Sequence, residues 1–468
     1  MADVPVRGRA VTDLSSDLGE LSLPADVATV LKTLVAAGHE AALVGGCVRD
    51  LVRGLQPDDW DVATDAPPET VAALFPDTTW TNMFGTVTVR SGPMEVEVTT
   101  YRSESGYSDA RRPDEVHWAT ELTDDLGRRD FTINAMAWVA DDLDAGRGHL
   151  VDPFGGVKDL AAGLLRAVGD PDRRFTEDAL RLLRGVRFTT TLGLRLDPAT
   201  EEAMTRMADA AGRLSGERVR DELLRLLAWD GATAPAFLLM ERLGILAVIL
   251  PELAALRGVE QGKMLGGDAL DHSLRAADAL PASDPVLRLA GLLHDAGKAR
   301  TGAGGHFIGH ETVGAELAAQ RLESLALPRA DIERVTHLVR HHMILYSSDW
   351  TDAAVRRFIR RVGPGRPMTD LFALRRADPA ASAGPEVRDG AAAELEARVA
   401  ALRSTAVLSV SELAVDGTDL MRELGLDPGP EVGRLLDALL QAALDDPRRN
   451  ERETLIRLAR ESHDAAPA

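Results

Sequence analysis

The stretch that decides the fold runs from Ala41 to Thr64 and reads AALVGGCVRDLVRGLQPDDWDVAT. AALV is an apolar run of strand length that breaks at Gly45 and Gly46, and CVRDLVRGL then has helical spacing. DWDVAT alternates polar and apolar residues, which is typical of a second strand. A strand, a glycine turn, a helix and a second strand in succession predict a small mixed α/β domain.

The second strand carries two carboxylates. Asp59 and Asp61 flank Trp60, so on a strand both side chains project from one face, roughly 6.6 Å apart. Glu97 lies in the outward phase of a later strand, within a predicted hairpin of TVTVR and MEVEVTTYR, and could complete the set. Oxygen ligands favour Mg²⁺. The carboxylates therefore predict a site for divalent cations, unless DWD is only a solvated strand face.

The glycine turn ahead of that strand has the form of an anion site. Gly45 and Gly46 end a strand and open a helix, where backbone N–H groups point at an approaching ligand. Arg49 lies one turn into the same helix. The two glycines alone would be an ordinary turn. Their combination with Asp59 and Asp61 favours a triphosphate cradle beside a metal site.

The rest of the chain divides into several helical segments. The chain has 468 residues, which is enough for two to four domains of about 100 to 200 residues each. Strand signals almost vanish after Leu160, where Leu, Ala and Arg at helical spacing take over, so the predicted fold class is α+β. The predicted segments are a flexible N-terminus (1–22), a mixed head (23–154), a helical neck and body (155–257), a second helical domain (268–385) and a helical tail (386–468).

Composition excludes several classes of protein. Hydrophobic residues make up 45% and charged residues 27% of the chain, which rules out wholesale disorder. The net charge of -21 has the wrong sign for a protein that coats nucleic acid by charge alone. No apolar run reaches the roughly 18 residues of a membrane span, and the N-terminus lacks a signal-peptide pattern. We therefore expect a cytoplasmic protein.

Five motifs, taken in order, resemble one known family. GGCVRDLVRG, DWDVAT, EVTTYR, DLGRRDFTINAMA and RFTEDALRLLRGVRF resemble the class II CCA-adding tRNA nucleotidyltransferases and bacterial poly(A) polymerases. The resemblance implies a polymerase-beta-like head in which an RNA 3′-hydroxyl attacks the α-phosphate of CTP or ATP. It also implies two Mg²⁺ ions on Asp59 and Asp61, the tRNA 3′ end as partner, and no membrane. Glu97 as a third ligand rests on strand phase alone.

A later motif of the family suggests how C and A are chosen. Glu177 to Arg181 matches the family's EDxxR signature, and we expect it on one helix with Asp178 and Arg181 as neighbours. Cytosine and adenine offer an amine donor beside a ring-nitrogen acceptor, which such a pair complements, whereas uracil and guanine do not. The alternative is a surface salt bridge of little weight. The further residues that the resemblance places around ribose and phosphates are Arg128, Arg129, Asp130, Asn134, Arg184 and Arg187.

A second set of motifs resembles the HD metal-dependent phosphohydrolase superfamily. DALDHSL supplies His272, LLHDAGK supplies His294 and Asp295, and the distant Asp378 in LRRADPAA matches the closing aspartate. The resemblance implies a divalent metal on these four residues. Most of the eleven histidines lie around these motifs, and for His337 we keep an ordinary structural role. An HD domain with a purely structural role stays possible on the sequence.

Four functions stay open on the sequence. The leading one is addition and repair of the 3′-terminal CCA of tRNA with CTP and ATP. Within the same family the rivals are a poly(A) polymerase and an enzyme that adds only CC or only A. From another class the rival is an HD phosphohydrolase whose first domain merely holds nucleotide or RNA. The loop over residues 103–117 has full length, which in the resembled family accompanies complete CCA addition.

Overall fold

The structure is a computed structural model that describes residues 18–80, 85–105, 115–261, 266–302, 306–383, 390–404 and 406–465. The chain forms two compact units, Met1–Pro251 (unit 1) and Glu252–Ala468 (unit 2), and each contains its own hydrophobic core. The finer five-part division expected from the sequence stays a prediction. The centre of the 103–117 loop falls outside the described residues.

Unit 1 is built on a mixed sheet. The strands are β1 (Ala41–Val44), β2 (Trp60–Thr64), β3 (Thr78–Trp80), β4 (Thr86–Ser91), β5 (Met94–Thr100), β6 (Arg102–Ser105), β7 (Glu115–Trp118), β8 (Ala137–Asp142), β9 (Arg147–Val151), β10 (Leu164–Leu165) and β11 (Arg195–Leu196). Seven of them form one sheet in the order β3-β4-β5-β2-β1-β8-β9, while β6 pairs with β7 and β10 with β11. In the seven-stranded sheet, β2 and β5 run parallel and the other neighbours run antiparallel.

Alternation along the central strands gives the sheet an apolar and a polar face. Val62, Val96 and Val98 are fully buried, as residues of alternate phase on β2 and β5 should be. Asp61 of β2 stands directly opposite Glu97 of β5 in the parallel register. The pairing therefore brings two of the predicted metal ligands to one face, although they are far apart in sequence.

The helices of unit 1 surround this sheet and continue beyond it. They are α1 (Ala25–Ala36), α2 (Gly46–Val52), α3 (Pro68–Leu74), α4 (Leu122–Gly127), α5 (Gly156–Ala161), α6 (Pro171–Glu177), α7 (Leu180–Thr191), α8 (Pro198–Arg206), α9 (Gly216–Leu227), α10 (Ala234–Arg242) and α11 (Ile245–Ile249). The short helix α12 (Pro251–Ala254) starts at the last residue of unit 1. Short 3-10 turns at Thr132–Asn134 and Ala208–Arg213 join some of them. The predicted order, a mixed head followed by helices, is confirmed.

The described part of the N-terminus differs from the loose segment that the sequence predicts. Leu18 is buried, and its carbonyl accepts a hydrogen bond from the Trp138 indole at 2.8 Å. Glu20 forms a bridge with Arg147 of β9. Polar composition suggested a free segment, but the edge strand β9 offers unpaired backbone groups that residues 18–22 partly satisfy. Residues 1–17 lie outside the described range.

Unit 2 is helical throughout its described residues. Its helices are α13 (Ala269–Asp278), α14 (Pro285–Leu293), α15 (Lys298–Thr301), α16 (His310–Ser324), α17 (Arg329–His341), α18 (Asp352–Val362), α19 (Arg366–Ala383), α20 (Gly390–Arg403), α21 (Gly417–Leu424), α22 (Pro430–Asp445) and α23 (Arg452–Asp464). A capping box at Asp268 and Asp271 fixes the start of α13. None of the helices in the described segments combines the length and the apolar character that crossing a membrane requires.

Candidate active site and a second metal-ligand cluster

A cleft of about 380 Å³ in unit 1 collects most of the predicted site residues. Asp59 and Arg187 are not among the residues that line it, and five lining residues were not predicted. The predicted residues in the lining are Gly45, Gly46, Arg49, Asp61, Glu97, Arg128, Arg129, Asp130, Asn134, Asp178, Arg181 and Arg184. The additional ones are Val44, Thr86, Thr99, Arg102 and Phe188.

The carboxylates in the cleft repel one another. Burial, and after it the charge of Asp59, raises the pKa of Asp61 despite the opposing Arg129. Burial followed by the charges of Asp61 and Asp59 likewise raises the pKa of Glu97. Asp59 immediately precedes β2 instead of lying within it, yet it is close enough to act on both. Oxygen donors under mutual repulsion fit a hard divalent cation, because its charge would relieve that repulsion.

The glycine turn leaves no room for a side chain. Gly45 has a φ of 76° and precedes α2. A Cβ added there would lie 2.7 Å from Nη1 of Arg129 and 3.4 Å from Oδ2 of Asp61. The positive φ favours glycine, and a side chain there would also displace the Arg129 guanidinium. The turn therefore brings the start of α2 next to an arginine and next to Asp61, a predicted metal ligand.

Two arginines of the cleft are held by one buried acid. Arg128 donates to Oδ1 of Asp125 at 2.6 Å, and Arg129 donates to Oδ2 at 3.1 Å. Burial alone would raise the pKa of Asp125, but the two guanidinium groups lower it below its usual range. Asp125, which sequence reasoning missed, is completely buried on α4. It fixes two guanidinium groups in the lining of the cleft.

Asp130, like Asp125, is a buried acid that holds polar side chains in the lining of the cleft. Its carboxylate accepts hydrogen bonds from Arg184 at 2.7 Å, from the Asn134 amide at 3.2 Å and from the Phe131 backbone at 2.8 Å. Burial opposes the charge, but Arg184 prevails and lowers the pKa of Asp130 to about 2. Asn134 in turn accepts from Arg49 at 2.8 Å. These contacts join Arg49 and Arg184 into one hydrogen-bond network. A direct contact of Asp130 with ribose stays a prediction.

The predicted arrangement of Asp178 and Arg181 on one helix is wrong. Asp178 lies between α6 and α7 with an extended backbone, and its carboxylate accepts from the Leu180 N–H at 3.0 Å. The residue thus caps the start of α7, a role that aspartate favours over a mid-helix position. Arg181 donates instead to Glu177 at 2.8 Å and to the Arg128 carbonyl at 2.8 Å. Both side chains nevertheless line the cleft.

Arg218 on α9 holds the Asp178 carboxylate in place. Its two terminal nitrogens donate to Oδ1 at 3.0 Å and to Oδ2 at 2.7 Å, a bidentate pair. Nothing local in the sequence could reveal this partner, because it is 40 residues away on another helix. Because Oδ1 also accepts from the Leu180 N–H, Oδ2 is the oxygen that keeps a further lone pair for a ligand.

Arg187 pairs with an acid and is not among the residues that line the cleft. Its guanidinium donates to Glu222 of α9 at 2.7 Å and lies 4.4 Å from the centre of the Phe188 ring. The same ring has Arg184 at 5.1 Å. The prediction that Arg187 reaches the cleft with Arg184 is therefore wrong, because an acid on the neighbouring helix captures it. Phe188 supplies the aromatic surface of this wall.

A second cluster lies in unit 2, where the predicted HD residues converge with two that were not assigned. Among the described residues, two groups of three place their ligand atoms within 4.8 Å of one another: His272, His294 and Asp378, and Asp295, His310 and His342. They come from α13, the end of α14, the start of α16, the end of α17 and α19. His310 and His342 were visible in the sequence only as members of a histidine-rich region.

The orientation of three histidines suits metal binding. The Nδ1 atoms of His294, His310 and His342 lie 2.7 to 2.8 Å from the backbone carbonyls three residues earlier. Because a carbonyl only accepts, each Nδ1 carries a proton, and Nε2 is the nitrogen left for a metal, which would bind it in its unprotonated form. The two Nε2 atoms of His310 and His342 are 3.2 Å apart. The cluster therefore fits a divalent metal by donor type and by orientation.

Asp295 is the shared acid of this cluster. Its oxygens lie 3.2 Å from Nε2 of His294 and 3.4 Å from Nε2 of His310, and Lys298 donates to it at 2.6 Å. Burial opposes ionisation, but His294 and the other neighbours lower its pKa well below the usual range. His337 belongs to neither group, and its ring packs edge-on against His341 with centroids 4.5 Å apart.

Three families of known domains match the chain. Residues 41–166 match the poly(A) polymerase head domain, residues 193–256 match a region described as the probable RNA and SrmB-binding site of polymerase A, and residues 269–400 match the HD domain. The first match contains the carboxylates and the glycine turn of the cleft. The third contains all six residues of the unit 2 cluster.

Relatives and a solved structure match over almost the whole chain. An A-adding tRNA nucleotidyltransferase of Deinococcus radiodurans is 40% identical over 421 residues, which cover 86% of this chain and 91% of that protein. A CCA-adding enzyme of Lactiplantibacillus plantarum is 33% identical over 433 residues, 92% and 94% of the two chains. The Bacillus stearothermophilus CCA-adding enzyme in complex with CTP matches with a TM-score of 0.68 and 28% identity, covering 94% and 97%.

Proposed function

The chain belongs to the family of CCA-adding and A-adding tRNA nucleotidyltransferases, and from this premise we propose that it builds and repairs the 3′-terminal CCA of tRNA with CTP and ATP. The observation that carries the proposal is the cleft of unit 1, where Asp61 and Glu97 face a set of fixed arginines. Metal-ligand carboxylates beside guanidinium groups are what transfer of a nucleotide from a triphosphate requires.

The reaction joins an RNA end to a nucleotide. The 3′-hydroxyl oxygen attacks the α-phosphorus of CTP or ATP, the bond from that phosphorus to the bridging oxygen breaks, and pyrophosphate leaves while the hydroxyl proton is lost. Mg²⁺ held by Asp59, Asp61 and Glu97 would lower the pKa of the hydroxyl and neutralise charge on the leaving group. The carboxylates position the reacting end, and the start of α2 with Arg49, Arg128 and Arg129 binds the triphosphate.

Base choice rests on Asp178 and Arg181. Arg218 fixes the Asp178 carboxylate, which accepts from the exocyclic amine of C or A. The Arg181 guanidinium, held by Glu177 and a backbone carbonyl, donates to the ring nitrogen. Uracil and guanine would leave these groups unpaired, at about 1 to 3 kcal/mol for each buried group. The two residues act on one base although they do not contact each other as a pair.

The extent of addition is tested with three tRNA transcripts, which lack CCA, end in CC or end in CCA. Each is incubated with labelled CTP, with labelled ATP or with both. Complete CCA addition predicts three added nucleotides on the first, one A on the second and none on the third. Extension of the second transcript alone would assign A addition, as in the Deinococcus relative. Addition of CC without A would assign a CC-adding enzyme, and a long run of A on every transcript would assign a poly(A) polymerase.

A second candidate function is hydrolysis of phosphate esters in unit 2. The observation that favours it is the buried cluster with His272, His294 and Asp378 on one side and Asp295, His310 and His342 on the other. A metal there would activate water against a phosphoryl group. The test is hydrolysis of bis-p-nitrophenyl phosphate by the full chain with Mn²⁺, Ni²⁺ or Mg²⁺. Metal bound without turnover would assign a structural HD domain.

A further inference from the structure

One side of the cleft is not used by the nucleotide contacts described above. Thr86, Thr99 and Arg102 line it, and the hydroxyl oxygens of the two threonines are 3.2 Å apart. The register of β4 and β5 pairs Thr86 with Thr99, two residues along β5 from Glu97. These three residues therefore form a polar wall immediately beyond the metal-ligand carboxylates.

The order of strands assigns this wall to the attacking RNA. Across the sheet, β1 leads into the glycine turn, β2 carries Asp61, β5 carries Glu97 and Thr99, and β4 carries Thr86. The triphosphate binds at the turn, so its leaving pyrophosphate points to the β1 side. A hydroxyl that attacks in line must approach the α-phosphorus from the opposite direction. That direction is the β5 and β4 side.

An exposed aromatic ring stands at the end of the same wall. Trp118 on β7 is directly opposite Arg102 on β6, and 48% of the residue is exposed. A Cβ at Gly85 would lie 2.7 Å from its ring, so the ring packs on the backbone just ahead of Thr86. Gly85 has a φ of 90°, which suits glycine alone. The exposed indole therefore borders the cleft on the side of the threonine pair.

We propose that Trp118, Arg102, Thr86 and Thr99 form the subsite for the 3′-terminal nucleotide of the acceptor RNA, an inference that rests on the proposed function. Trp118 stacks on its base, Arg102 binds its phosphate, and the threonine hydroxyls hold its ribose beside Glu97. Stacking tolerates every base, which an acceptor end that changes with each addition requires. Selection of C or A stays with Asp178 and Arg181.

The first test uses steady-state kinetics of the full chain on a transcript ending in CC, with ATP. We expect Arg102→Gln to raise the KM for tRNA about tenfold and to leave the KM for ATP unchanged. We also expect it to lower the slope of log affinity against log salt by about 0.7, the value of one phosphate contact on a single strand. Arg90→Gln is the matched control, because Arg90 lies on β4 and pairs with the exposed Glu95.

The second test removes the base instead of the side chain. A transcript with an abasic 3′-terminal nucleotide should show a KM about tenfold higher with the wild-type chain. With Trp118→Leu, which keeps an apolar contact with Gly85, the normal and abasic transcripts should have the same, raised KM. Thr99→Val should lower kcat severalfold without changing the KM for ATP. Equal penalties for the abasic end in wild type and Trp118→Leu would overturn the proposal.

Failure of the proposed function and failure of the acceptor subsite are distinguishable. If the wild-type chain extends no transcript, the proposed function is wrong. If it extends transcripts normally while Arg102→Gln keeps the wild-type KM for tRNA and the wild-type salt slope, the acceptor subsite alone is wrong. An increase in the KM for ATP in Arg102→Gln would likewise contradict the subsite, because it would place Arg102 on the nucleotide side.

Discussion

The predicted metal ligands in the cleft of unit 1 and the shared acid in the cluster of unit 2 have pKa values shifted in opposite directions. In the cleft, burial and neighbouring carboxylates raise the pKa of Asp61 and of Glu97. In the cluster, His294 and its neighbours lower the pKa of Asp295 although burial opposes them. Near the first group of acids the arginines do not outweigh burial and mutual repulsion, whereas the neighbours of Asp295 outweigh its burial.

The difference indicates how each group would acquire its metal. Carboxylates that repel one another need a cation, and Mg²⁺ usually arrives with phosphates of the substrate. We therefore expect the cleft to receive its Mg²⁺ together with the triphosphate. Each group of three in the cluster of unit 2 places its ligand atoms within 4.8 Å of one another, with imidazole donors that suit transition metals. We therefore expect it to retain a metal without a substrate.

The largest expected effect comes from substituting a predicted metal ligand in the cleft, which leaves the cluster of unit 2 unchanged. Asp61→Asn should lower nucleotide addition at least about 1000-fold, or about 4 kcal/mol of transition-state stabilisation, because the metal loses a ligand. Affinity for tRNA should stay within about twofold. Asp59→Ala should behave similarly, and Asp58→Asn, a neighbouring exposed acid, is the control. Single-turnover rates measure nucleotide addition, and filter binding measures the affinity for tRNA. Normal turnover in Asp61→Asn would mean that Asp61 is not a metal ligand.

A substitution in the cluster of unit 2 should have the opposite effect, because it removes a metal ligand there and leaves the cleft unchanged. His310→Asn should release metal from purified protein loaded with Mn²⁺ or Ni²⁺, with a loss of affinity of at least about 100-fold, since losing even an outer partner costs 10- to 100-fold. Nucleotide addition should be unchanged. His337→Asn, outside both groups, should keep its metal. Elemental analysis of dialysed protein gives the answer, and equal metal content in all three proteins would mean that the cluster binds none.

The base-choice residues give a smaller, selective effect. Asp178→Ala with Arg181→Ala should bring the use of UTP and GTP within about tenfold of CTP and ATP, because neither wrong base then meets an unpaired buried group. Asp172→Ala with Arg206→Ala removes an exposed acid and arginine pair of the same unit and serves as control. Competition between labelled nucleotides measures selectivity. An equal fall in rate for all four would mean that the pair is structural.

The smallest effect concerns the residue that holds Asp178. Arg218→Gln keeps the acid but removes its bidentate partner, so selectivity for ATP over GTP should fall severalfold, less than in the double variant. Arg220→Gln changes an arginine of the same helix that pairs with Asp221 and should have no effect. A change in overall rate with unaltered selectivity in Arg218→Gln would show that orientation of Asp178 does not matter.

The sequence predicted the local parts of the cleft because short-range physics sets them. The strand at Trp60–Thr64 follows from alternation, and the turn at Gly45 and Gly46 follows from glycine at a strand end. The prediction from sequence misplaced Asp178, because helical spacing alone does not show that an aspartate will cap the following helix. Capping and spacing compete, and here the cap prevails.

Most contacts that the sequence did not predict depend on tertiary packing. Asp125 is different, because it lies three and four residues before its arginine partners, a spacing that the sequence shows; only its burial requires the fold. Arg218 and Glu222 act from α9 on residues some 35 to 40 positions earlier. Thr86 and Thr99 become neighbours only through the register of β4 and β5. Spacing within one element can be read from sequence, whereas spacing between elements requires the fold.

One cleft in unit 1 should add C, C and A and reject the other bases. A direct check is sequencing of tRNA 3′ ends after a transcript lacking CCA is incubated with the full chain and all four nucleotides. We predict that extended molecules end in C, CC or CCA, that CCA accumulates and that growth stops there. Ends containing U or G, or homopolymeric A beyond the third position, would contradict this assignment of the cleft.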